Sequence, residues 1–156
     1  MMDDEHVVIR PYERRDRDQV LALAVRLTEG VAPWRDPDAV AQAVRGWVAT
    51  YNDDIGRDDA AVYVAEAADR IVGFVGVSQR RHFTGERDGY IGELVVASDM
   101  ERRGIGRRLV RTAEGWARGR GLSRIALDTG AANLTARRFY AALGYQEEDV
   151  RLSKAV

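Results

Sequence analysis

Residues 89–111, GYIGELVVASDMERRGIGRRLVR, constrain the fold more than any other stretch. Tyr90, Ile91, Leu94, Val95 and Val96 are aromatic, aliphatic or β-branched and only Glu93 is charged, so residues 89–96 read as a buried strand. A short polar loop leads to Gly104-Ile105-Gly106, which opens a helix. Two glycines there let the backbone come close to a ligand. The first-turn N–H groups lack partners inside the helix, and the dipole makes that end positive. Such an end takes anions, phosphate above all. Arg102, Arg103, Arg107, Arg108 and Arg111 surround it, with Glu101 the nearby acid. The plainer alternative is a glycine turn ahead of an arginine-decorated helix. All but Lys154 of the 24 basic residues are arginine, so a compositional habit of the source accounts for arginines here as readily as function does.

The helix opened at Gly104 runs to Gly119-Arg120-Gly121, and residues 124–128 form the next strand. Strand, helix and strand make one crossover unit, so the two strands are expected to be parallel. Upstream, residues 60–67 and 71–78 read as strands joined by a tight turn at Ala68-Asp69-Arg70, an antiparallel hairpin. A short strand begins at Val7, and Asp16 or Asp18 caps a helix expected to reach Leu27. Asp36-Pro37 starts a second helix, an acidic cap followed by proline at the first helical position. Val40, Val44, Trp47, Val48 and Tyr51 then form one apolar stripe. Residues 133–143 read as a helix, and 145–153 as a last strand, whole or broken. The expected order is β-α-α-β-β-β-α-β-α-β: a single α/β domain over residues 1–156, with a mixed, mostly antiparallel sheet and helices on both faces.

Composition excludes several functions. A formal net charge of -1 gives no steering toward nucleic acid or an anionic membrane. No apolar run approaches the roughly 20 residues that span a bilayer. The acidic start lacks a signal-peptide pattern, so a cytoplasmic protein is expected. Without cysteine, and with His6 and His82 far apart, no metal is expected.

Asn133-Leu-Thr-Ala136-Arg-Arg-Phe139-Tyr140 is the second informative stretch. Together with Gly104-x-Gly106, in this element order, it resembles the GNAT superfamily of acetyl-CoA-dependent N-acetyltransferases. The resemblance runs over about residues 60–152. It implies that Arg102, Arg103, Gly104, Ile105, Gly106 and Arg107 hold the diphosphate of acetyl-CoA, with Glu101 departing from the family's Gln or Arg. It implies that the main chain of Leu94, Val95 and Val96 pairs with the pantetheine arm, that Asn133 contacts the cofactor, and that Tyr140 is the general acid near the sulfur.

The chemistry fits those roles. An amine with a pKa near 10 is neutral at pH 7 in about one molecule per thousand. That is a penalty of roughly 4 kcal/mol, which a base or a desolvating pocket must offset. Negative charge developing on the thioester oxygen is best met by a preorganised N–H, and the departing sulfur needs a proton. Glu93, the acid of the central strand, is the candidate base. Its alternative is a sheet-face acid paired to an arginine, since strand neighbours face opposite ways. Tyr140 is alternatively a core aromatic beside Phe139, and Asn133 a helix cap.

In this family the acceptor lies near the loop between the first two helices, which here points to Glu29, Trp34 and Asp36, with Tyr12 or Phe83 as walls. Residues 28–60 hold seven acids and three arginines, which suits a cationic amine or is only a solvated acidic face. The expected partner is a small-molecule amine, with no nucleic acid or membrane, and a homodimer is left open. A peptide N-acetyltransferase and a non-catalytic acyl-CoA sensor are the alternatives. A dinucleotide-binding module is disfavoured, because Leu109 stands where a third glycine belongs.

Overall fold

Strand β3 (Arg70–Arg81) is the spine of the molecule, buried without a break over residues 71–77. A strand buried on both faces needs a layer on each side, and the helices supply them. A computed structural model describes residues 6–156; most of the acidic start, residues 1–5, lies outside the described residues. β2 (Ala60–Ala67) and β4 (Arg87–Val96) flank β3 in antiparallel pairing. β1 (Val8–Pro11) pairs antiparallel to β2, and β5 (Ile125–Leu127) pairs parallel to β4, giving the order β1-β2-β3-β4-β5. This is the mixed sheet expected from the sequence. The β2–β3 turn holds Ala68 and Asp69 at φ 47 and 63, the mirror-image geometry that matches strand twist.

Helix α4 (Ile105–Gly119) covers one face, with Ile105, Leu109, Ala113 and Trp116 against Val72, Val75, Val77 and Ile91. Helices α1 (Arg17–Ala24), α2 (Pro37–Ala49) and α3 (Tyr51–Asp54) cover the other, where Val20, Val44, Val48 and Tyr51 meet Val64, Phe74 and Val95. Helix α5 (Leu134–Ala142) packs Phe139 and Tyr140 against the α4 layer. Asp36 caps α2 by accepting from the Asp38 N–H, with Pro37 at the first helical position.

Three elements differ from expectation. Helix α1 stops at Ala24 and continues as a 3-10 turn, Val25–Thr28. Asp16 does not cap it with its side chain; the carboxylate, 3% exposed, accepts 2.8 Å hydrogen bonds from Arg10 Nη1 and Nη2. A buried charge is stable only when paired. The strand expected at 145–153 is irregular chain. Past Tyr145 the run Gln-Glu-Glu-Asp offers no apolar face, and Val150 and Leu152 are 75% and 88% exposed. Last, β3 and β4 extend toward each other to Arg81 and Arg87, beyond the apolar pattern, because backbone pairing carries the hairpin past it.

Candidate active site

β4 pairs with β5 only at Gly89, Tyr90 and Ile91. Beyond Ile91 the two strands part, and the gap between them is the first feature of the site. The Ala97 N–H donates to the Val72 carbonyl at 2.8 Å, on the β3 side. The carbonyl of that same peptide, from Val96, therefore faces the opposite way, into the gap. Alternation along the strand turns the main-chain groups of Leu94 to the gap as well. Arg26 Nη1 donates to the Val96 carbonyl. The Leu94 N–H and C=O and the Val96 N–H remain as an open edge, which a ligand's amides can pair.

At the end of the gap stands the start of α4. Residues 101–104 form a turn in which Arg102 and Gly104 take φ values of 61 and 77. For arginine that left-handed backbone costs about 1–3 kcal/mol, a strain found at ligand clamps. A Cβ added at Gly104 would meet no atom within 4 Å, so the approach to the first-turn amides is open. Ile105, 2% exposed, pins the turn to the core. No acid lies in the first turn of α4. Arg102, Arg103 and Arg107 are at the surface around it, while Arg108 reaches back to the Val7 carbonyl at 2.8 Å. The α5 helix is adjacent, since a Cβ on Gly106 would come within 3.3 Å of Phe139 Cζ.

On α5, the Tyr140 ring is packed edge-on between Phe139 and Tyr145, with centroids 5.0 and 5.4 Å away. Its hydroxyl has no hydrogen-bond partner among the described residues, and burial alone pushes its pKa up. Tyr140 is thus packed beside Phe139 and also carries an uncommitted proton. Asn133 caps α5, accepting from the Ala136 N–H at 3.2 Å.

Glu93 faces the other side of the sheet, and a bulge puts it there. Ile91 pairs with Val77 and Glu93 with Gly76, leaving Gly92 unpaired. In unbroken alternation Ile91, Glu93 and Val95 would share one face. Instead Ile91 packs under α4, while Glu93 joins Val95 on the α1–α3 side. There Glu93 Oε2 accepts a 2.6 Å hydrogen bond from the Tyr51 hydroxyl and, among the described residues, forms no ion pair with an arginine. Burial raises the Glu93 pKa; the Tyr51 hydrogen bond lowers it, Asp54 raises it and Arg80 lowers it, leaving it above the ordinary carboxylate value. Tyr51 is held well above its own ordinary value, by burial first and by Glu93 next.

A cavity of ≈ 320 Å3 opens at this pair, lined among others by Trp47, Tyr51, Asp54, Arg80, Gly92 and Glu93. Arg57 stands at its rim with Nε and Nη2 each 2.9 Å from the Asp59 carboxylate, so its charge is spent. Arg80 lies with its Cζ 3.4 Å above the Tyr90 ring centre. The lining carries Asp54, Asp59 and Glu93 against Arg57 and Arg80, and Arg57 Nη1 also lies 3.4 Å from Asp54 Oδ1.

Glu29, Trp34 and Asp36 do not line this cavity. Glu29 accepts from Arg26 at 3.3 Å, Trp34 is 69% exposed, and Asp36 is spent on its cap. Tyr12 is buried with its hydroxyl on Asn52 Oδ1 at 2.9 Å, and Phe83 is 91% exposed in the β3–β4 turn. Sequence reasoning missed Tyr51, counting it only as the end of an apolar stripe, and had Asp54 only as one of the seven acids of residues 28–60. The available signals were the hydroxyl at that end, the acids after it, and Gly92 in the middle of a strand, a bulge marker.

Residues 28–145 match the model of the acetyltransferase (GNAT) family. The chain is 30% identical over 148 residues to the aminoglycoside N(6')-acetyltransferase type 1 of Klebsiella aerogenes, with 92% of each chain covered. It is 36% identical to the human (Homo sapiens) N-acetyltransferase 8 over 86 residues, 54% of this chain and 38% of that protein. Among solved structures, an aminoglycoside N-acetyltransferase in complex with CoA superposes with a TM-score of 0.74 at 19% identity, covering 99% of this chain and 98% of that one. The PaiA N-acetyltransferase of Thermoplasma acidophilum in complex with coenzyme A gives 0.78 at 18%, covering 94% and 93%.

Proposed function

The chain belongs to the GNAT acetyltransferase family, acetyl-CoA-dependent acyltransferases, and from that premise we propose that it acetylates the primary amine of a small, cationic molecule. The observation that carries this reading is the junction at β4: an open main-chain edge on one side of the strand, and a buried carboxylate lining a cavity on the other.

The residues present fit acetyl-CoA. The free amides at Gly104, Ile105 and Gly106 suit a diphosphate, and the space above Gly104 is clear. Arg102, Arg103 and Arg107 add charge around them. The open groups of Leu94 and Val96, on either side of Val95, suit the amides of a pantetheine arm, and Asn133 stands at the start of α5 beside it. When bound, acetyl-CoA supplies an acetyl group activated as a thioester.

The rest belongs to the chain. Glu93 removes the ammonium proton, its carboxylate held in place by Tyr51. A raised pKa brings that carboxyl closer to the amine's and to the working pH, which improves it as a base. The β4 main chain presents N–H groups to the charge that develops on the acyl oxygen. Tyr140, kept neutral by burial and bonded to nothing else, holds its proton for the leaving sulfur. The cavity is of small-ligand size, and Asp54 with Glu93 favours a positive guest.

Release of CoA thiol from acetyl-CoA over a panel of aminoglycosides, polyamines and peptides tests the proposal. Turnover with small polyamino compounds supports it. Turnover with peptides alone moves the acceptor to the peptide class, and tight CoA binding without release to any amine makes the protein a sensor.

A further inference from the structure

Glu101 is the anomaly of the diphosphate loop: an acid at the position where the sequence pattern of this family has Gln or Arg. Its carboxylate is not left to itself. Arg26 Nη2 donates to Glu101 Oε1 at 2.6 Å, across 75 residues of sequence. The same guanidinium gives Nη1 to the Val96 carbonyl, on the gap side of β4, and reaches both oxygens of Glu29 at 3.3 Å. Arg26 therefore ties the end of β4 to the loop that precedes α4.

The chain after Arg26 continues across the gap. Gly30, at φ 78, passes so close to α5 that an added Cβ would come within 2.5 Å of Asn133 Cβ. A Cβ on Gly130 would in turn meet the Gly30 carbonyl oxygen at 2.1 Å. Residues 26–30 thus touch the β4 wall at one end and the β5–α5 wall at the other. Only glycines fit at the far contact.

We propose that Arg26 is a positioning residue of the acetyl-CoA site: sharing its charge between Glu29 and Glu101, it offsets Glu101 at the diphosphate loop and fixes the β4 terminus against which the cofactor lies. The inference rests on the acetyl-CoA site assigned above. A carboxylate left uncompensated beside a diphosphate repels it at short range. With Arg26 in place, the loop presents its amides and surface arginines to the ligand with that repulsion reduced. This is why an acid is tolerated at position 101.

The test is a double-mutant cycle on CoA affinity, measured by titration calorimetry on the full chain, with the thermal midpoint of each free protein recorded alongside. Arg26→Gln is expected to weaken CoA about tenfold, and more at low ionic strength, where screening is weaker. Glu101→Gln alone is expected to bind CoA at least as well as wild type. The double variant, Arg26→Gln with Glu101→Gln, is expected to return to within about threefold of wild type, and Arg26→Lys to retain most of the affinity. A double variant as weak as Arg26→Gln overturns the inference, because Arg26 then serves the ligand directly or the fold alone. Unchanged affinity in Arg26→Gln overturns it too. Wild-type protein that binds no CoA overturns the acetyl-CoA site itself, and the inference with it.

Discussion

The Tyr51 hydroxyl donates a 2.6 Å hydrogen bond to Glu93 Oε2, joining the start of α3 to β4 across 42 residues of sequence. The contact exists because Gly92 bulges and Gly76 opposite has no side chain. It favours the charged carboxylate, against burial, which favours the neutral form.

Replacing Glu93 by Gln keeps the shape and an acceptor for Tyr51 but removes the proposed base. The acetylation rate is expected to fall about 100-fold, with CoA affinity unchanged. Stability has a definite sign. The folded pKa of Glu93 lies above its ordinary value of 4.5, so its contribution is fully present below 4.5 and is lost as pH rises through the folded value. The Gln variant should therefore melt higher than wild type at pH 8, and the gain should vanish at pH values below the ordinary one. Thermal melts across pH check it.

Gly76→Ala tests the geometry from the opposite strand. Its Cβ would fall 2.4 Å from Glu93 Oε2 and 2.9 Å from the Tyr51 hydroxyl oxygen, so the pair must separate. Activity should drop, with a stability loss of about 1–3 kcal/mol by urea unfolding and CoA binding retained.

Tyr140→Phe deletes a hydroxyl that has no protein partner among the described residues. Stability should stay within about 0.5 kcal/mol of wild type, while the rate falls about 100-fold. Single-turnover thiol release separates this step from binding. A large stability loss would show that the hydroxyl is structural.

Arg10 holds Asp16 through two 2.8 Å bonds and Glu66 through one of 2.6 Å. Burial alone would raise the Asp16 pKa, but the bonds from Arg10 and the Glu13 N–H outweigh it and hold the carboxyl below its ordinary 3.8. Its stabilisation is thus present above 3.8 and lost as pH falls through the depressed value. Arg10→Met leaves a buried charge unpaired and should cost about 3–5 kcal/mol at neutral pH. The cost should shrink in acid, as urea titrations at several pH values will report.

Much of this was legible in the sequence, for local reasons. Asp36-Pro37, Asn133 and Gly104 are terminus signals whose chemistry acts on the next few residues, and each marks an observed helix start. Residues 60–67 were legible as a strand, and its bounds agree. The direction of Glu93 was not legible, because one unpaired residue reverses every face beyond it. Nor was the partner of Glu93: an apolar stripe scores the Tyr51 ring and is silent about its hydroxyl. The region 145–153 was overread from scattered Val and Leu that have no surface to bury against. The tie between Arg26 and Glu101 spans 75 residues, beyond any local pattern.

The most direct test of the account is the pH dependence of kcat/KM for the amine, compared between wild type and Tyr51→Phe. The amine's own ionisation is common to both, so the difference isolates Glu93. Tyr51 lowers the carboxyl that burial raises. Its loss should therefore move the acidic limb of the profile to higher pH and leave the alkaline side in place. Superimposable profiles, or a limb displaced to lower pH, would contradict the role of this pair in taking the proton.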